Sequence, residues 1–223
     1  MTEAEWLKAT NPFVLLSHIE SKTTERKLRL FSCSCCRKVL ILLTDDRIRR
    51  LLFTSELFAD GMATSQELDS AIHASVEFEQ ENRDEYLPAA YAVINASTEG
   101  YIDAGEVCDR LSDAFFSQLP INKDSFEANQ KEVQRRLAEL SVLAHDIFGN
   151  PFRSIAADPS WLTSTVLALA TGIYQEKGFD RMLILADALQ DAGCHNADIL
   201  NHCRQPGEHA RGCWVIDLLL AKK

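Results

Sequence analysis

Apolar residues along this chain return mostly at helical intervals. Leu28, Phe31, Cys35, Val39 and Leu42 follow one another in steps of 3, 4, 4 and 3, which keeps them on one side of a helix over residues 24–43. Arg26 and Lys27, and three turns later Arg37 and Lys38, fall on the opposite side. Val133, Leu137, Leu140, Ala144 and Ile147 repeat in steps of 4, 3, 4 and 3, the spacing of bundle or short coiled-coil packing, and predict a helix from Phe126 to Ile147. Leu183, Ala186 and Leu189 mark another over 180–192. Alternating strand pairs and hairpin dipeptides such as Asn-Gly are missing from the sequence.

Start and stop signals divide the chain between these stripes. Thr2 with Glu5 has capping-box spacing for a short first helix carrying Trp6 and Leu7, and Asn11-Pro12 opens the next. Thr44, Asp45 and Asp46 start a helix that Gly61 stops, and Thr64 with Glu67 caps one reaching about Asn82. Residues 86–119 are Ala-rich and weakly patterned, and are read as two helices broken near Gly100. Gly149-Asn150-Pro151 ends the Phe126–Ile147 helix, and the domain boundary is expected there. Beyond it, Asp158-Pro159 is expected to cap a helix through Trp161 to about Lys177, with Gly178 as its stop. A helix over 180–192 ends at Gly193, Asn196 or Asp198 begins a short one to Arg204, and Gly212–Lys222 reads as a last helix. The expectation is an all-α multi-helix bundle of about eight to ten helices. It comprises a helical domain over 1–149 and a smaller helical domain over 150–223 packed against it.

Composition narrows the class. Hydrophobic residues make up 46% of 223, and the 9 Gly and 6 Pro are too few for a turn-rich β architecture or a low-complexity chain. No apolar run nears the roughly 18 residues of a membrane span, and MTEAEWLKATNP lacks the basic and apolar regions of a signal peptide. Seven cysteines, three of them crowded at Cys33, Cys35 and Cys36, fit reduced thiols in a cytoplasm better than a disulfide framework. The net charge is −10, and residues 61–130 carry 14 acids against 3 bases, which disfavours nucleic acid as a partner. Arg26, Lys27, Arg37 and Lys38 form the candidate positive partner surface, and pairing with the acidic segment within one chain or in a homodimer is the alternative.

Candidate chemistry concentrates in Phe179–Leu220, which holds three of the seven cysteines and three of the six histidines. Cys194-His195, His202-Cys203, His209 and Cys213 are zinc-type ligands. They lack a Cys-x-x-Cys knuckle, however, and His202 and Cys203, adjacent on a helix, point about 100° apart. Buried cysteines and surface histidines are therefore expected, with no metal and no cofactor assigned. Cys33, Cys35 and Cys36 spread around their helix rather than converging, so a redox role is disfavoured. Arg204-Gln205-Pro206-Gly207-Glu208-His209 is similar to the Arg-x4-His motif of HEPN ribonucleases, a resemblance of six residues which implies that Arg204 and His209 act on a scissile phosphate. No catalytic residue is assigned. His202, Arg204, His209, Arg211, Trp214 and Asp217 are expected to line a shallow ligand or partner groove. Leu183, Leu185, Leu189, Ile199, Trp214, Ile216 and Leu219 supply enough apolar surface, at roughly 1.5–3 kcal/mol per fully buried large side chain, to hold this tail without metal. Asp187, Asp191 and Asp217 would pair with Arg181, Arg204 or Arg211.

The opening MTEAEWLKATNPFVLLSHI with KLRLFSCSCCRKV, and the close running from DIFGNPFR through FDRMLILADALQDAGC and ADILNHCRQPGEHARGCWVIDLLLAKK, resemble a group of paralogous proteins typical of planctomycete bacteria. The resemblance implies a bacterial cytoplasmic protein and no particular reaction. Asp180-Arg181 through Leu185-Ala186-Asp187 to Gly193 is similar to the Ala-Asp-Trp-Leu pattern of a short bacterial domain that accompanies interaction repeats, with Ala188 in place of its Trp. The leading expectation is a non-enzymatic bacterial protein-interaction module, an adaptor or immunity-like partner of another bacterial protein. A hydrolase or ribonuclease using the C-terminal His/Arg/Asp cluster, and a zinc-stabilised binding domain, are the alternatives.

Overall fold

The computed structural model describes residues 1–85, 87–98, 102–120 and 126–222. Among them are twelve α-helices, joined by short 3₁₀ turns and loops: α1 (Glu3–Lys8), α2 (Pro12–Ile19), α3 (Glu25–Arg37), α4 (Asp46–Ala59), α5 (Ser65–Glu81), α6 (Pro88–Asn95), α7 (Ala104–Ser117), α8 (Phe126–Phe148), α9 (Ser164–Glu176), α10 (Met182–Asp191), α11 (Ala197–Arg204) and α12 (Trp214–Leu219). The described residues contain no strand, and the protein is all-α. None of these helices is long and apolar enough to cross a membrane.

The described chain divides into two compact units, Lys8–Ser141 and Met1–Leu7 with Val142–Lys223. The boundary expected at Gly149-Asn150 falls instead within α8, and the first residues belong with the C-terminal unit. Packing explains the difference. Trp6 is fully buried, its indole N–H donates to the carbonyl of Gly149 at 3.0 Å, and its ring meets His145 edge-on. Gly149 ends α8 as expected, at φ +65°, but the residues on either side of it share one unit.

In the larger unit α3 packs against α4, α6 and α7. Thr24 caps α3 by accepting from the Lys27 amide, and every residue from Leu28 to Cys36 is buried. The expected amphipathic helix over 24–43 is therefore a central one that ends at Arg37, after which Leu40–Leu42 tighten into a 3₁₀ turn. Small Ser and Cys side chains let neighbouring helices close around it, which accounts for Cys33, Cys35 and Cys36 at 0% exposure. Burial pushes the Cys33 thiol up to about 12 and Cys35 and Cys36 well above the ordinary thiol range, so these are inert core groups.

Two basic residues of this segment pair with acids of their own unit. Arg26 binds Asp60 at 2.9 Å, and Arg37 holds the buried Glu56 through Nε and Nη2 at 2.5 and 2.6 Å. Of the expected partner surface of Arg26, Lys27, Arg37 and Lys38, Arg26 and Arg37 are thus engaged by the unit's own acids. Asp45 caps α4, and Thr64 and Glu67 form the full capping box of α5. Asp103 caps α7. The break expected near Gly100 lies outside the described residues.

In the smaller unit the helix expected from Asp158-Pro159 splits. Residues 159–161 form a 3₁₀ turn, Thr163 recaps the chain, and α9 ends with Lys177 rather than Gly178 in the left-handed conformation. Ala186 and Leu189 are buried in the core as expected, together with Met182 and Leu185, whereas Leu183, the third residue expected inward, is 56% exposed. Val166, Ile173, Ile199, Val215, Ile216 and Leu219 complete this core, together with Cys194 and Cys203.

Candidate metal centre

Three local structures bring four donor side chains together. The last turn of α8 carries Asp146. Asn196 caps α11 by accepting from the amides of Asp198 and Ile199, which sets the helix that carries His202 in its last turn. Pro206-Gly207 then turns the chain, His209 follows in the loop, and the N–H of Cys213 closes a tight turn on the Ala210 carbonyl at 2.9 Å before α12 begins.

The donor atoms converge. Asp146 Oδ1 lies 2.6 Å from His209 Nδ1 and 3.1 Å from His202 Nε2. Cys213 Sγ lies 3.2 Å from the same His202 Nε2 and 4.0 Å from the same His209 Nδ1. All four ligand atoms fall within 4.8 Å of one another. A tetrahedral zinc with ligands at about 2.0–2.3 Å requires donor–donor edges of about 3.3–3.8 Å. The observed spacings bracket that range, so small side-chain movements suffice to seat an ion.

This geometry differs from that of a catalytic triad. In a triad one imidazole nitrogen faces the nucleophile and the other faces the carboxylate. Here Asp146 and Cys213 both address Nε2 of His202 and both address Nδ1 of His209. Four donors directed at one point could form the corners of a coordination polyhedron. Side-chain exposure is 2% for Asp146, 8% for His202 and 5% for His209, and Cys213 is at 0%. The set is closed on all sides, as structural zinc sites are.

Surrounding groups orient the ligands. The Ala210 N–H donates to Asp146 Oδ2 at 2.8 Å, and the Gln205 side-chain amide lies 3.3 Å from His202 Nδ1. With Nε2 on an ion, Nδ1–H would donate to the Gln205 carbonyl oxygen, which a turn of the amide provides. The His202 ring rests against Trp214 at 5.1 Å and His209 at 4.9 Å. Burial opposes charge on Asp146, but hydrogen bonds from His202 and His209 outweigh it and hold its carboxyl below the ordinary value. Burial pushes the Cys213 thiol well above its usual range, Asp146 adds to that, and the amides of Ile216 and Val215 oppose it. A coordinated cation reverses such a shift, because a metal-bound thiol is deprotonated.

The tail residues singled out from the sequence thus separate. His202, His209 and Cys213 meet, whereas Cys194 and Cys203 lie in the hydrophobic core and His195 is exposed. The histidines expected at the surface are buried, because Asp146 supplies the partner that makes their burial tolerable. The expected groove of His202, Arg204, His209, Arg211, Trp214 and Asp217 does not form as one surface. Arg204 reaches outward to Asp187 at 3.1 Å and Gln190 at 2.7 Å, away from His209, which turns inward. Arg211 lies over the Tyr174 ring, Asp217 is buried on α12, and Trp214 packs on His202. Of the expected tail ion pairs Arg204–Asp187 is present, while Arg181 binds Glu176.

Asp146 is the member that the sequence reading missed. Its signal was available: an acid in the last turn of a helix meets the negative end of the dipole and needs compensation. No family model, curated protein or solved structure matches this chain.

Proposed function

We propose that this protein is a non-enzymatic binding module whose Met1–Leu7 and Val142–Lys223 unit is stabilised by a zinc ion on Asp146, His202, His209 and Cys213. The observation that carries this reading is the convergence of four buried donors, drawn from a helix end, a second helix, a loop and a helix start, on one point. The donor chemistry favours zinc. A thiolate and two imidazoles suit a borderline-soft ion and not calcium or magnesium, which take oxygen ligands. The charges also balance: one carboxylate and one thiolate cancel a divalent ion, so the assembled site is neutral and its burial is inexpensive. Four protein ligands leave no position for water or substrate, which supports a stabilising role over a catalytic one. An ion that ties the segment after α11 to α8 suits a small unit that presents its surface to another protein. A bacterial protein partner is the reading we carry forward.

Metal analysis tests this directly. Protein reconstituted with zinc and desalted should retain about one ion per chain. Cys213→Ser and Asp146→Asn should lose it. Cobalt in place of zinc should give a thiolate-to-metal charge-transfer band that Cys213→Ser abolishes. Wild-type protein that retains no metal after reconstitution would reduce the cluster to a hydrogen-bonded network.

A further inference from the structure

We propose that zinc loading controls the docking of the N-terminal helix α1, so that the metal-depleted protein releases Met1–Lys8 as an accessible arm. This inference rests on the zinc reading above and assigns that site a regulatory consequence.

The argument begins with how α1 is held. A six-residue helix is far below the length that is stable alone in water, so α1 persists only through its attachments. Trp6 is the one residue of α1 that is buried, and its indole N–H donates to Gly149 O at 3.0 Å while the ring stands edge-on to His145 at 5.4 Å. Glu3 accepts from Asn150 Nδ2 at 2.7 Å and from Arg153 Nε at 2.5 Å. All these attachments lie between residues 145 and 153, the stretch that contains and follows the ligand Asp146.

Two physical lines connect that stretch to the other ligands. Gly149 is pressed against Trp214, so closely that a Cβ built on it would lie 3.0 Å from the indole Cγ, and the Trp214 ring also packs against His202. Arg153 binds both Glu3 and, at 2.8 Å, Asp198 in the first turn of the helix that carries His202. The surface that receives α1 is therefore the end of α8 and the turn after it, braced by Trp214 against Gly149 and by Asp198 of α11 against Arg153. An ion shared by Asp146, His202 and Cys213 fixes those three pieces relative to one another. Removing it leaves the last turn of α8 and the loop after α11 held by hydrogen bonds in place of coordination, and the arm loses a rigid receptor.

Trypsin cleavage after Lys8, followed by the mass of the released peptide, reads the population of the undocked arm. In the intact 223-residue chain, chelator treatment should accelerate this cut about tenfold or more relative to the zinc-loaded form, with cleavage after Lys131 in the other unit unchanged. Cys213→Ser in zinc buffer should behave like the chelated wild type. Trp6→Phe should open the arm while leaving zinc stoichiometry intact, which separates arm from ion. Zinc that binds and leaves with no change in the Lys8 cut would overturn the inference and spare the zinc reading. Equal acceleration at Lys8 and Lys131 would overturn it as well, because the response would then be general unfolding. A wild type that never binds zinc would remove the zinc reading and this inference together.

Discussion

Cys213→Ser isolates the ion's contribution to stability, because the substitution hardly disturbs the unit when zinc is absent. Cys213 is fully buried and its sulfur lies 3.2 Å from His202 Nε2. A serine hydroxyl occupies nearly the same place and can keep a hydrogen bond to that nitrogen, so the cost in chelator should be about 1 kcal/mol. In zinc the comparison changes. An ion that binds only the folded chain stabilises it by about 4 kcal/mol at a thousand times its dissociation constant. For a chain of this size that corresponds to roughly 8–16 °C in Tm, at about 2–4 °C per kcal/mol. The assay is four melting curves: wild type and variant, each in chelator and in buffered zinc. The wild type should gain roughly 8–16 °C from zinc and the variant close to none, while the two should differ by only about 2–4 °C in chelator. A variant that gains as much as the wild type would put the ion elsewhere. A wild type indifferent to zinc would refute the centre altogether.

Three further outcomes follow from packing. Glu56→Ala should cost about 2–3 kcal/mol by urea denaturation, because it strands Arg37; the value stays below the 3–5 kcal/mol of a fully buried pair because the Arg37 side chain is 36% exposed. Gly149→Ala should cost about 2–3 kcal/mol, since alanine is strained at φ +65° and its methyl would meet the Trp214 ring; a neutral result would place Trp214 away from that turn. Cys33 and Cys203, pushed up to about 12 by burial, should be nearly unreactive toward a thiol reagent at neutral pH until denaturant is added; rapid labelling of the native protein would contradict their burial.

Helix positions were readable because they rest on local rules. The Thr64–Glu67 capping box, the Asn196 cap and the Gly149 stop each involve groups within four residues, and all three occur. The α8 stripe of Val133, Leu137, Leu140, Ala144 and Ile147 is buried throughout. Errors arose where neighbours decide. The stripe on α3 suggested one buried side, yet Arg29, Ser32 and Ser34 are buried as well. Arg29 is accepted in the interior because the Thr98 carbonyl takes its Nη2 at 2.8 Å and Phe58 lies under its guanidinium. No periodicity encodes those partners. The unit boundary failed for a related reason: a Gly-Asn-Pro break ends a helix but does not end a core, and Trp6 crosses more than 140 positions of sequence to pack beside it.

The candidate centre was half visible for the same physical reason. A sequence scan for zinc favours paired ligands at short spacing, because a knuckle holds two donors within one turn. Here neither adjacent pair works as a unit. His202 points to the candidate site while Cys203 lies in the core, as Cys194 does. The approximately 100° step between neighbours on a helix, which argued against zinc, is what sorts them: one residue of the His202-Cys203 pair is a candidate ligand and the other a hydrophobe. The same step leaves the set one donor short unless a distant group supplies it, and α8 delivers Asp146. A buried carboxylate at the negative end of a helix would be costly alone, and two buried histidines with a thiol would be costly without it. Each group's burial is explained by the others, and a divalent ion at their centre is the one addition that neutralises the carboxylate and the thiolate together.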